Sequence, residues 1–374
     1  MKIAVLVSGG VDSSVALRLL QDEGHELTAF YLKIWLEDEL SFLGECPWED
    51  DLAYVRAVCE QAGVPLVVVP FQKEYWAQVV AYTMNEVKEG RTPNPDMLCN
   101  ARIKFGAFLD FLSGKSSSER LKGVEEYDLG RYDKIATGHY AWTEYVPSQH
   151  DGLGVWTLKR SPDPIKDQTY FLSQLSQAQV SKALFPIGQL DKPAVRRLAE
   201  QYGLPNAKRK DSQGICFLGK IPFDKFLEYH LGKKPGPLVE YETGSVLGEH
   251  DGFWYFTVGQ RRGIKLSGGP WYVVKKDTTT NEVFISHGAH HELTARDTFV
   301  VGDLNWIAGT APTWKFDFQV KIRHGAKMYR ARVESMAGGK VRVVLKEKDP
   351  GVAEGQFAVF YDGQVCLGGG VIQS

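Results

Sequence analysis

Residues 2–14 of the chain read KIAVLVSGGVDSS. The segment from Lys2 to Val7 is apolar and rich in β-branched residues, which predicts a buried strand that ends at the following Ser-Gly-Gly. The residues from Val11 to Glu23 carry apolar side chains at helical spacing, and Gly24 suits the C-terminus of a helix. This order of strand, glycine turn and helix predicts a βα unit.

The same alternation continues to about residue 140. Predicted strands run from Leu27 to Trp35, Pro65 to Val69 and Asp133 to Thr137, and predicted helices run from Trp48 to Ala62, Tyr75 to Lys88 and Ile103 to Leu112. A further helix is predicted from Asp191 to Gly203, capped by Asp191 and with Pro193 in its first turn. The pattern predicts an α/β fold, a Rossmann-like domain with a mainly parallel sheet. The polar, aperiodic stretch from Ser113 to Arg131 predicts a surface insertion.

After about Lys210 the pattern changes to short alternating segments, separated by turns rich in Gly, Asp and Asn. The predicted strands are Trp271 to Lys275, Glu282 to Ser286, Lys315 to Arg323, Tyr329 to Glu334 and Lys340 to Leu345. They predict a C-terminal β-barrel. The stretch before them mixes Gly, Pro and aromatic residues, which predicts a small middle domain. We therefore expect domains at residues 1–207, 208–275 and 276–374.

The composition excludes several classes of protein. The 374 residues include 44 basic and 46 acidic side chains, for a formal net charge of −2. This balance argues against a protein that coats DNA or RNA indiscriminately, although it allows a locally basic face. No apolar run approaches the roughly 20 residues of a membrane helix, and the N-terminus does not resemble a signal peptide. We predict a cytoplasmic protein without a membrane partner, or an imported organellar one if a presequence is missing.

The cysteines argue for a reducing compartment. They are Cys46, Cys59, Cys99, Cys216 and Cys366. Their odd number and wide spacing do not fit a disulfide framework, and the lack of Cys-x-x-Cys argues against structural zinc. His287, His290 and His291 have no matching ligands nearby in the sequence, so no metal site is predicted from protein side chains.

The loop from Ser8 to Ser14 is suited to a nucleotide. Its glycines let the backbone approach an anion, and the helix N-terminus supplies N–H donors and partial positive charge. Asp12 is unexpected for simple anion binding, because a carboxylate repels phosphate unless it organises the loop or holds Mg²⁺. The loop lacks the Gly-Lys-Ser/Thr ending of a Walker loop. It resembles the PP-loop of ATP pyrophosphatases, which implies an enzyme that adenylates an oxygen and releases pyrophosphate.

Six further sequence motifs narrow the choice of substrate. They are GRTPNPDMLCN at 90–100, ATGHY at 136–140, KDQTYFL at 166–172, DSQGICF at 211–217, TVGQRRG at 257–263 and CLGGG at 366–370. With these motifs the chain resembles the MnmA family of tRNA-specific 2-thiouridylases over its whole length. It departs from the family's pattern at the insertion and between Cys46 and Asp51, where it looks more like plant and organellar members. These departures leave the source and compartment open.

The resemblance implies a role for residues in each predicted domain. The implied ATP contacts are Leu6, Val7, Ser8, Gly9, Gly10, Val11, Asp12, Ser13, Leu32 and Gly138. The implied contacts to the target uridine are Asn94, Pro95 and Asp96. The implied tRNA contacts are His139, Lys166, Asp167, Gln168, Arg323, His324 and Gln356. Leu32 stands where the family often has Met, a swap that conserves volume.

The resemblance also implies Cys99 and Cys216 as the catalytic pair, with the persulfide on Cys216. The C2 oxygen of uracil is a poor leaving group, and AMP attached to it makes it a good one. A persulfide brings in sulfur, and a second thiolate attacks its inner sulfur to leave a disulfide. The implied cofactors are ATP with Mg²⁺ and a persulfide sulfur donor. The implied partners are tRNA and a sulfur-delivery protein, either a desulfurase or a sulfur relay.

Two other functions stay open on the sequence. Another PP-loop ligase, argininosuccinate synthase-like or GMP synthase-like, would act on a small molecule and would need neither two cysteines nor an RNA-binding barrel. A non-catalytic RNA-binding protein would use the loop only to sense ATP, against which the two cysteines argue. The basic residues Lys208, Arg209 and Lys210 are either solvated charges or contacts to tRNA phosphates.

Overall fold

The computed structural model describes residues 1–34, 47–115, 131–147, 154–210, 222–288, 295–313 and 318–373. Most of the predicted insertion lies outside these ranges, as do Cys46 and Cys216. None of the helices within them is long and apolar enough to cross a membrane.

The N-terminal half is built on a parallel sheet. Its strands are β1 (Lys2–Leu6), β2 (Glu26–Lys33), β3 (Leu66–Pro70), β4 (Lys134–Ala136) and β7 (Ala183–Leu184). They lie in the order β3-β2-β1-β4-β7, and every neighbouring pair is parallel. The predicted Rossmann-like α/β domain is therefore confirmed.

Helices cover both faces of this sheet. They are α1 (Val11–Asp22), α2 (Pro47–Ala62), α3 (Gln72–Tyr75), α4 (Ala81–Lys88), α5 (Pro95–Leu98), α6 (Phe108–Leu112), α7 (Thr169–Leu172), α8 (Gln177–Lys182) and α9 (Lys192–Gln201). Because successive residues of a strand point to opposite faces, Ile3 belongs to the buried cluster that includes Leu17 of α1, whereas Ala4 belongs to the buried cluster that includes Phe108 of α6. Burial of one such aliphatic side chain contributes about 1.5–3 kcal/mol.

Two of the predicted helices contain π-helical segments. Trp76–Val80 joins α3 to α4, and Cys99–Ala107 joins α5 to α6. The predicted helices from Tyr75 and from Ile103 are thus confirmed, but each begins earlier, at Gln72 and at Pro95. Sequence periodicity does not reveal a π turn, because the turn depends on tertiary hydrogen bonds that satisfy the displaced carbonyl groups.

The middle of the chain forms a helix and a small sheet. The helix is α10 (Phe223–Leu231), and the strands are β8 (Gly236–Glu240), β9 (Val246–His250), β10 (Trp271–Asp277) and β11 (Glu282–His287). Strands β10 and β11 pair with each other, and β11 pairs with β8. The expected domain boundary at 275/276 therefore falls inside β10. The three-domain division itself stays a prediction.

The C-terminal region forms a closed barrel. Its strands are β12 (Arg296–Trp306), β13 (Phe318–Lys321), β14 (Tyr329–Ser335), β15 (Val341–Asp349), β16 (Phe357–Asp362) and β17 (Val365–Gln373). The order is β12-β15-β14-β13-β16-β17, and pairing of β12 with β17 closes it. The predicted barrel is confirmed.

A hairpin from the N-terminal half extends the barrel sheet, which the sequence reading missed. Its strands are β5 (Ala141–Val146) and β6 (Val155–Arg160), and Leu158 of β6 pairs with Cys366 of β17. The hairpin leads into the segment 161–168 and so ties that segment to the barrel.

A buried ion cluster reinforces this junction. Asp167 is 1% exposed and Lys321 of β13 is fully buried. The Asp167 carboxylate accepts hydrogen bonds from Lys321 Nζ at 3.0 Å and from Arg160 Nε at 3.0 Å, and Thr169 Oγ1 donates to it at 2.7 Å. Burial alone raises the pKa of this carboxyl group, but the Lys321 ammonium and the hydrogen bonds outweigh it and leave the pKa below its ordinary value.

The Asp167 cluster predicts a specific pH dependence of stability. Because the folded pKa of Asp167 is lowered, its contribution is present above the unfolded pKa and is lost as pH falls through the folded pKa. Asp167→Asn should therefore destabilise the protein near neutral pH, by roughly 3–5 kcal/mol for a broken buried pair. The difference from the wild type should shrink in acid below the ordinary carboxyl pKa.

The measurement is urea unfolding from neutral pH into the acid range. Asp110→Asn, which removes an exposed carboxylate from α6, is the control for net charge. An equal loss of stability at every pH would contradict this account of Asp167.

Candidate nucleotide and thiol site

The PP-loop leaves β1 and enters α1 in a conformation that needs glycine. Gly9 has φ of +78°, and a Cβ there would lie 2.6 Å from the carbonyl oxygen of Asp51. Gly10 is the N-cap of α1 and provides no side-chain cap. Inside the loop, Ser8 N donates to Ser13 Oγ at 3.2 Å. The backbone donors of the first turn of α1 are therefore not used by a capping side chain, which is the arrangement that suits an anion.

Gly138 follows β4 and lies directly behind the PP-loop. A Cβ at this position would lie 2.6 Å from Ser13 N and 2.7 Å from Asp12 C, both backbone atoms. Only glycine fits without displacing the loop. The structure thus brings together two segments that the sequence reading assigned to the same ligand.

Asp12 is held by two side chains from elsewhere in the domain. Its Oδ1 accepts hydrogen bonds from Lys192 Nζ at 2.7 Å and from Tyr140 Oη at 3.0 Å. Lys192 begins α9, so the cation reaches the loop from a helix that follows it by 180 residues. Asp12 therefore organises the PP-loop, one of the two roles that its sequence position suggested.

Asn206 and Arg209 fix the same loop from another side. Asn206 Nδ2 donates to Gly9 O at 2.8 Å and to Ser14 Oγ at 2.9 Å, and Arg209 Nη1 donates to Gly9 O at 3.0 Å. Arg209 also pairs with Asp51. Sequence reasoning missed Asn206 because a single Asn after a helix is ordinary turn chemistry. Within the basic run, Arg209 is bound to the loop and its neighbours Lys208 and Lys210 are exposed.

The remaining predicted ATP contact, Leu32, lies near the end of β2. It is half-buried and packs against the core beneath the sheet. The chemistry of this edge fits ATP, since glycine backbone, uncapped helix donors and an apolar side chain are present together.

Cys99 lies at the start of a π-helical segment. It is 1% exposed and contacts the core around Phe105. Burial raises the pKa of the Cys99 thiol, while the Lys104 ammonium and the nearby hydroxyl of Tyr75 act in the opposite direction. Cys216 lies outside the described residues, so the predicted pair stays a prediction.

The predicted target-base residues lie at the start of α5, beside α7. Asn94 caps the helix by accepting from Met97 N at 3.4 Å, and its side chain lies near the hydroxyl of Tyr170. Pro95 is buried in the first turn, and Asp96 is half-buried. Earlier in this loop, Thr92 N donates to Glu354 O of the C-terminal region at 2.8 Å. The loop is therefore placed by contacts with the barrel as well as by its own turn.

The predicted tRNA contacts fall into two groups. In the N-terminal half, Gln168 exchanges hydrogen bonds with the backbone of Tyr140, at 2.9 Å and 3.0 Å. Lys166 is half-buried, whereas Asp167 is buried in its ion cluster. His139 accepts or donates a 2.6 Å hydrogen bond with Thr137, and burial followed by the Lys104 charge lowers the pKa of its imidazole well below the ordinary value.

The second group lies at one end of the barrel. Arg323 pairs with Asp349 while its side chain stays 51% exposed. His324 stacks on Phe171 with ring centroids 4.6 Å apart. Gln356 is half-buried, and its carbonyl accepts from Ile372 N at 2.7 Å. The structure thus places Arg323 and His324 on the side of the barrel that meets α7.

Two other features lie away from these groups. A cleft of about 270 Å³ lined by Tyr241, Lys275, Arg296 and Val352 contains none of the predicted site residues. Within the described ranges, no group of three or more His, Cys, Asp or Glu side chains is arranged to hold a metal. His287 bonds Gly268 O at 3.0 Å, and the other two histidines of that stretch lie outside the described residues.

Family models match all three parts of the chain. One described as tRNA methyl transferase HUP domain covers residues 1–220, one described as tRNA methyl transferase PRC-barrel domain covers 224–287, and one described as Aminomethyltransferase beta-barrel domain covers 296–372.

Curated relatives match from end to end. The tRNA-specific 2-thiouridylases MnmA 1 of Bacteroides thetaiotaomicron and MnmA of Parabacteroides distasonis are each 43% identical, over 100% of this chain and 99% of the relative. MnmA of Idiomarina loihiensis is 42% identical, over 100% of this chain and 96% of its own. Among solved structures, the U34-tRNA thiolase NcsA of Methanococcus maripaludis matches at 19% identity and a TM-score of 0.33. That match covers 62% of this chain and 68% of the thiolase.

The contacts of Asn206 predict its effect on the PP-loop. Asn206→Ala removes two hydrogen bonds of about 0.5–1.5 kcal/mol each, so ATP should bind roughly tenfold more weakly because the loop is less ordered. Calorimetric titration with ATP measures the change. Asn305→Ala is a matched control, since the Asn305 amide likewise donates two hydrogen bonds, to Ser173 O at 2.9 Å and Leu175 O at 3.0 Å, but does so from β12 of the barrel. Equal ATP affinity in both variants would refute the role of Asn206.

Proposed function

The chain belongs to the MnmA family of tRNA-specific 2-thiouridylases and is a tRNA thiolation enzyme, and from this premise we propose how its residues divide the reaction. ATP adenylates the C2 oxygen of the wobble uridine, and sulfur from a cysteine persulfide replaces that oxygen. The products are 2-thiouridine, AMP and pyrophosphate.

The contiguity of the PP-loop with the cysteine helix carries this proposal. Gly138 lies against Ser13 of the loop. The next residue, His139, lies in the field of Lys104, which also acts on Cys99. The PP-loop therefore lies close to the segment that shares the field of Lys104 with Cys99, which supports placing adenylation and the attacking thiol at the end of the parallel sheet where α/β proteins bind ligands.

We assign ATP binding to the residues from Leu6 to Ser13, with Leu32 and Gly138. The N–H groups of the loop and of the first turn of α1 would hold the phosphates, and Leu32 would pack against the base. When bound, Mg²⁺ would neutralise phosphate charge. Oδ1 of Asp12 is already bonded to Lys192 Nζ, so the Asp12 carboxylate would meet such an ion through Oδ2 while it continues to organise the loop.

We assign sulfur transfer to Cys99 and Cys216. The persulfide sulfur of Cys216 bonds to C2 of the activated uridine, and AMP leaves with the former C2 oxygen. The Cys99 thiolate then attacks Sγ of Cys216, and the bond between that atom and the transferred sulfur breaks with its electron pair going to the sulfur on C2. The disulfide formed by the two cysteines must be reduced by an external thiol before the next turnover.

We assign target recognition to Asn94, Pro95 and Asp96, and tRNA contacts to the two groups described above. The residues proposed to contact tRNA directly are Lys166, His139, Gln168, Arg323, His324 and Gln356. Asp167 is the exception, because a fully buried carboxylate bonded to Lys321 and Arg160 acts by holding the segment in place.

The proposed partners follow from this chemistry. Besides tRNA, the enzyme needs a protein that delivers persulfide sulfur, either a desulfurase or a sulfur relay. We further propose that residues 1–207 form the catalytic domain, that 208–275 carry the second cysteine and help bind tRNA, and that 276–374 form the barrel domain.

The proposed division between adenylation and sulfur transfer is testable with two variants. Asp12→Ala should abolish AMP formation, because the loop loses its internal carboxylate, and should leave tRNA binding unchanged. Cys216→Ser should still form AMP but make no 2-thiouridine. Mass spectrometry of tRNA nucleosides and ATP–pyrophosphate exchange measure the two steps.

Mild oxidation supplies an independent check on the cysteine pair. It should link Cys99 to Cys216 in preference to Cys46, Cys59 or Cys366. A Cys216→Ser protein that still makes 2-thiouridine would rule out the two-thiol mechanism.

The proposed role of Arg323 predicts a change in the salt dependence of tRNA binding. If it contacts one tRNA phosphate, Arg323→Ala should weaken tRNA binding and reduce the slope of log K against log salt by about 0.7–0.9. Arg332→Ala is the control, since Arg332 is an exposed arginine on β14 that pairs with Glu334 at 3.0 Å. An identical slope in the wild type and in Arg323→Ala would show that Arg323 does not contact a tRNA phosphate.

A further inference from the structure

The helix that carries Cys99 is wound as a π-helix from Cys99 onward. In the segment Cys99–Ala107, residues five apart replace residues four apart as hydrogen-bonded neighbours, and at its end Phe108 N donates to Ile103 O. Such a turn holds more residues than an α turn. It therefore brings Lys104 round towards the helix face that carries Cys99, whereas an α-helix would turn this side chain further away.

A side chain from another helix maintains this wide turn. Gln179 Nε2 of α8 donates to Ala101 O at 2.8 Å and to Phe105 O at 2.9 Å. A Cβ at Gly106 would lie 2.8 Å from Ala101 O, so the segment also requires a glycine. The π winding is thus supported by Gln179 from α8 and by Gly106 within the segment.

The Lys104 ammonium is directed by its neighbour Asn100. Lys104 Nζ donates to Asn100 Oδ1 at 2.9 Å, and Asn100 Nδ2 donates to Phe171 O at 3.2 Å. Because the amide donor of Asn100 is committed to Phe171, its oxygen faces the lysine. Asn100 is 3% exposed, so this orientation is fixed within the protein interior.

Three side chains shape the electrostatic environment of Cys99 besides its burial. The Lys104 charge favours the thiolate, Asp96 disfavours it, and the nearby Tyr75 hydroxyl favours it. Burial lowers the pKa of His139 well below the ordinary value, and the charge of the same lysine lowers it further. The ammonium thus acts on both the thiol helix and the segment behind the PP-loop.

We propose that Lys104, presented by the π-helical turn and oriented by Asn100, is the positioning residue that sustains the Cys99 thiolate for its attack on the Cys216 sulfur. This inference rests on the proposed function. The Cys99 proton passes to bulk water as the thiol ionises, and the electron pair it leaves forms the new S–S bond. Lys104 keeps its own proton throughout and contributes its charge.

The test is the ionisation of Cys99 itself. The ultraviolet absorbance of thiolate is titrated with pH in each protein and in its Cys99→Ser counterpart, and the difference reports Cys99 without requiring reagent access. Lys104→Met should raise the Cys99 pKa by about one unit, which is about tenfold less thiolate below the midpoint. Lys104→Arg, which retains the charge, should restore most of the thiolate.

Arg102→Met is the matched control. Arg102 lies in the same π segment but donates to Gln78 O at 2.8 Å and lies over Tyr82, so its loss removes one positive charge away from Cys99. Circular dichroism confirms that each variant is folded, and Lys104→Gln replaces Lys104→Met if that variant is not. A Cys99 titration that is equal in wild type and in the folded Lys104 variants would overturn the proposal.

The single-turnover rate of sulfur transfer gives a second reading. The apparent pKa of its pH profile should rise in Lys104→Met and return towards the wild-type value in Lys104→Arg, while the rate of ATP–pyrophosphate exchange stays unchanged. If the wild type makes no 2-thiouridine, the proposed function fails, yet the thiolate titration still decides the role of Lys104. If the wild type is active and the profile does not move, the Lys104 inference alone fails.

Discussion

The pairing of one buried carboxylate, that of Asp167, is the interaction on which the arrangement of the N-terminal half against the barrel depends. A buried charge is costly unless it is paired, and here Arg160 and Lys321 supply the pairing from the N-terminal half and from the barrel. The carboxylate can be satisfied only when β6 and β13 are both in place. Because Gln168 next to it bonds Tyr140, and Tyr140 bonds Asp12, the same constraint reaches the PP-loop.

This junction explains why the predicted tRNA residues are spread through the sequence. Arg323 and His324 directly follow Lys321, so the ion cluster that seats β13 also sets the position of these two side chains. The target-base loop is fixed from the same side, through the hydrogen bond from Thr92 to Glu354. A nearly neutral protein can in this way present cations where tRNA is expected without a general excess of positive charge.

The PP-loop and the π-helical segment that begins at Cys99 are held in place by two different kinds of contact. In the loop, close backbone packing leaves no room for a Cβ at Gly138, and Asn206, Arg209 and Lys192 hold the polar groups. In the helix, the winding itself is altered, and Gln179 satisfies the displaced carbonyls. Both depend on side chains that come from later in the chain, which is why both are complete only in the folded domain.

The sequence by itself determined the parallel sheet, the PP-loop, the barrel and the family, because apolar periodicity and glycine placement are local properties. Through the family resemblance it also pointed to Gly138. Tertiary structure alone decided that the hairpin of β5 and β6 joins the barrel, that Asp167 is buried, and that Arg209 binds the loop. It likewise decided the π turn that brings Lys104 round towards the helix face of Cys99. These features depend on which distant groups satisfy a buried charge, donor or carbonyl, and no local pattern in the chain specifies such partners.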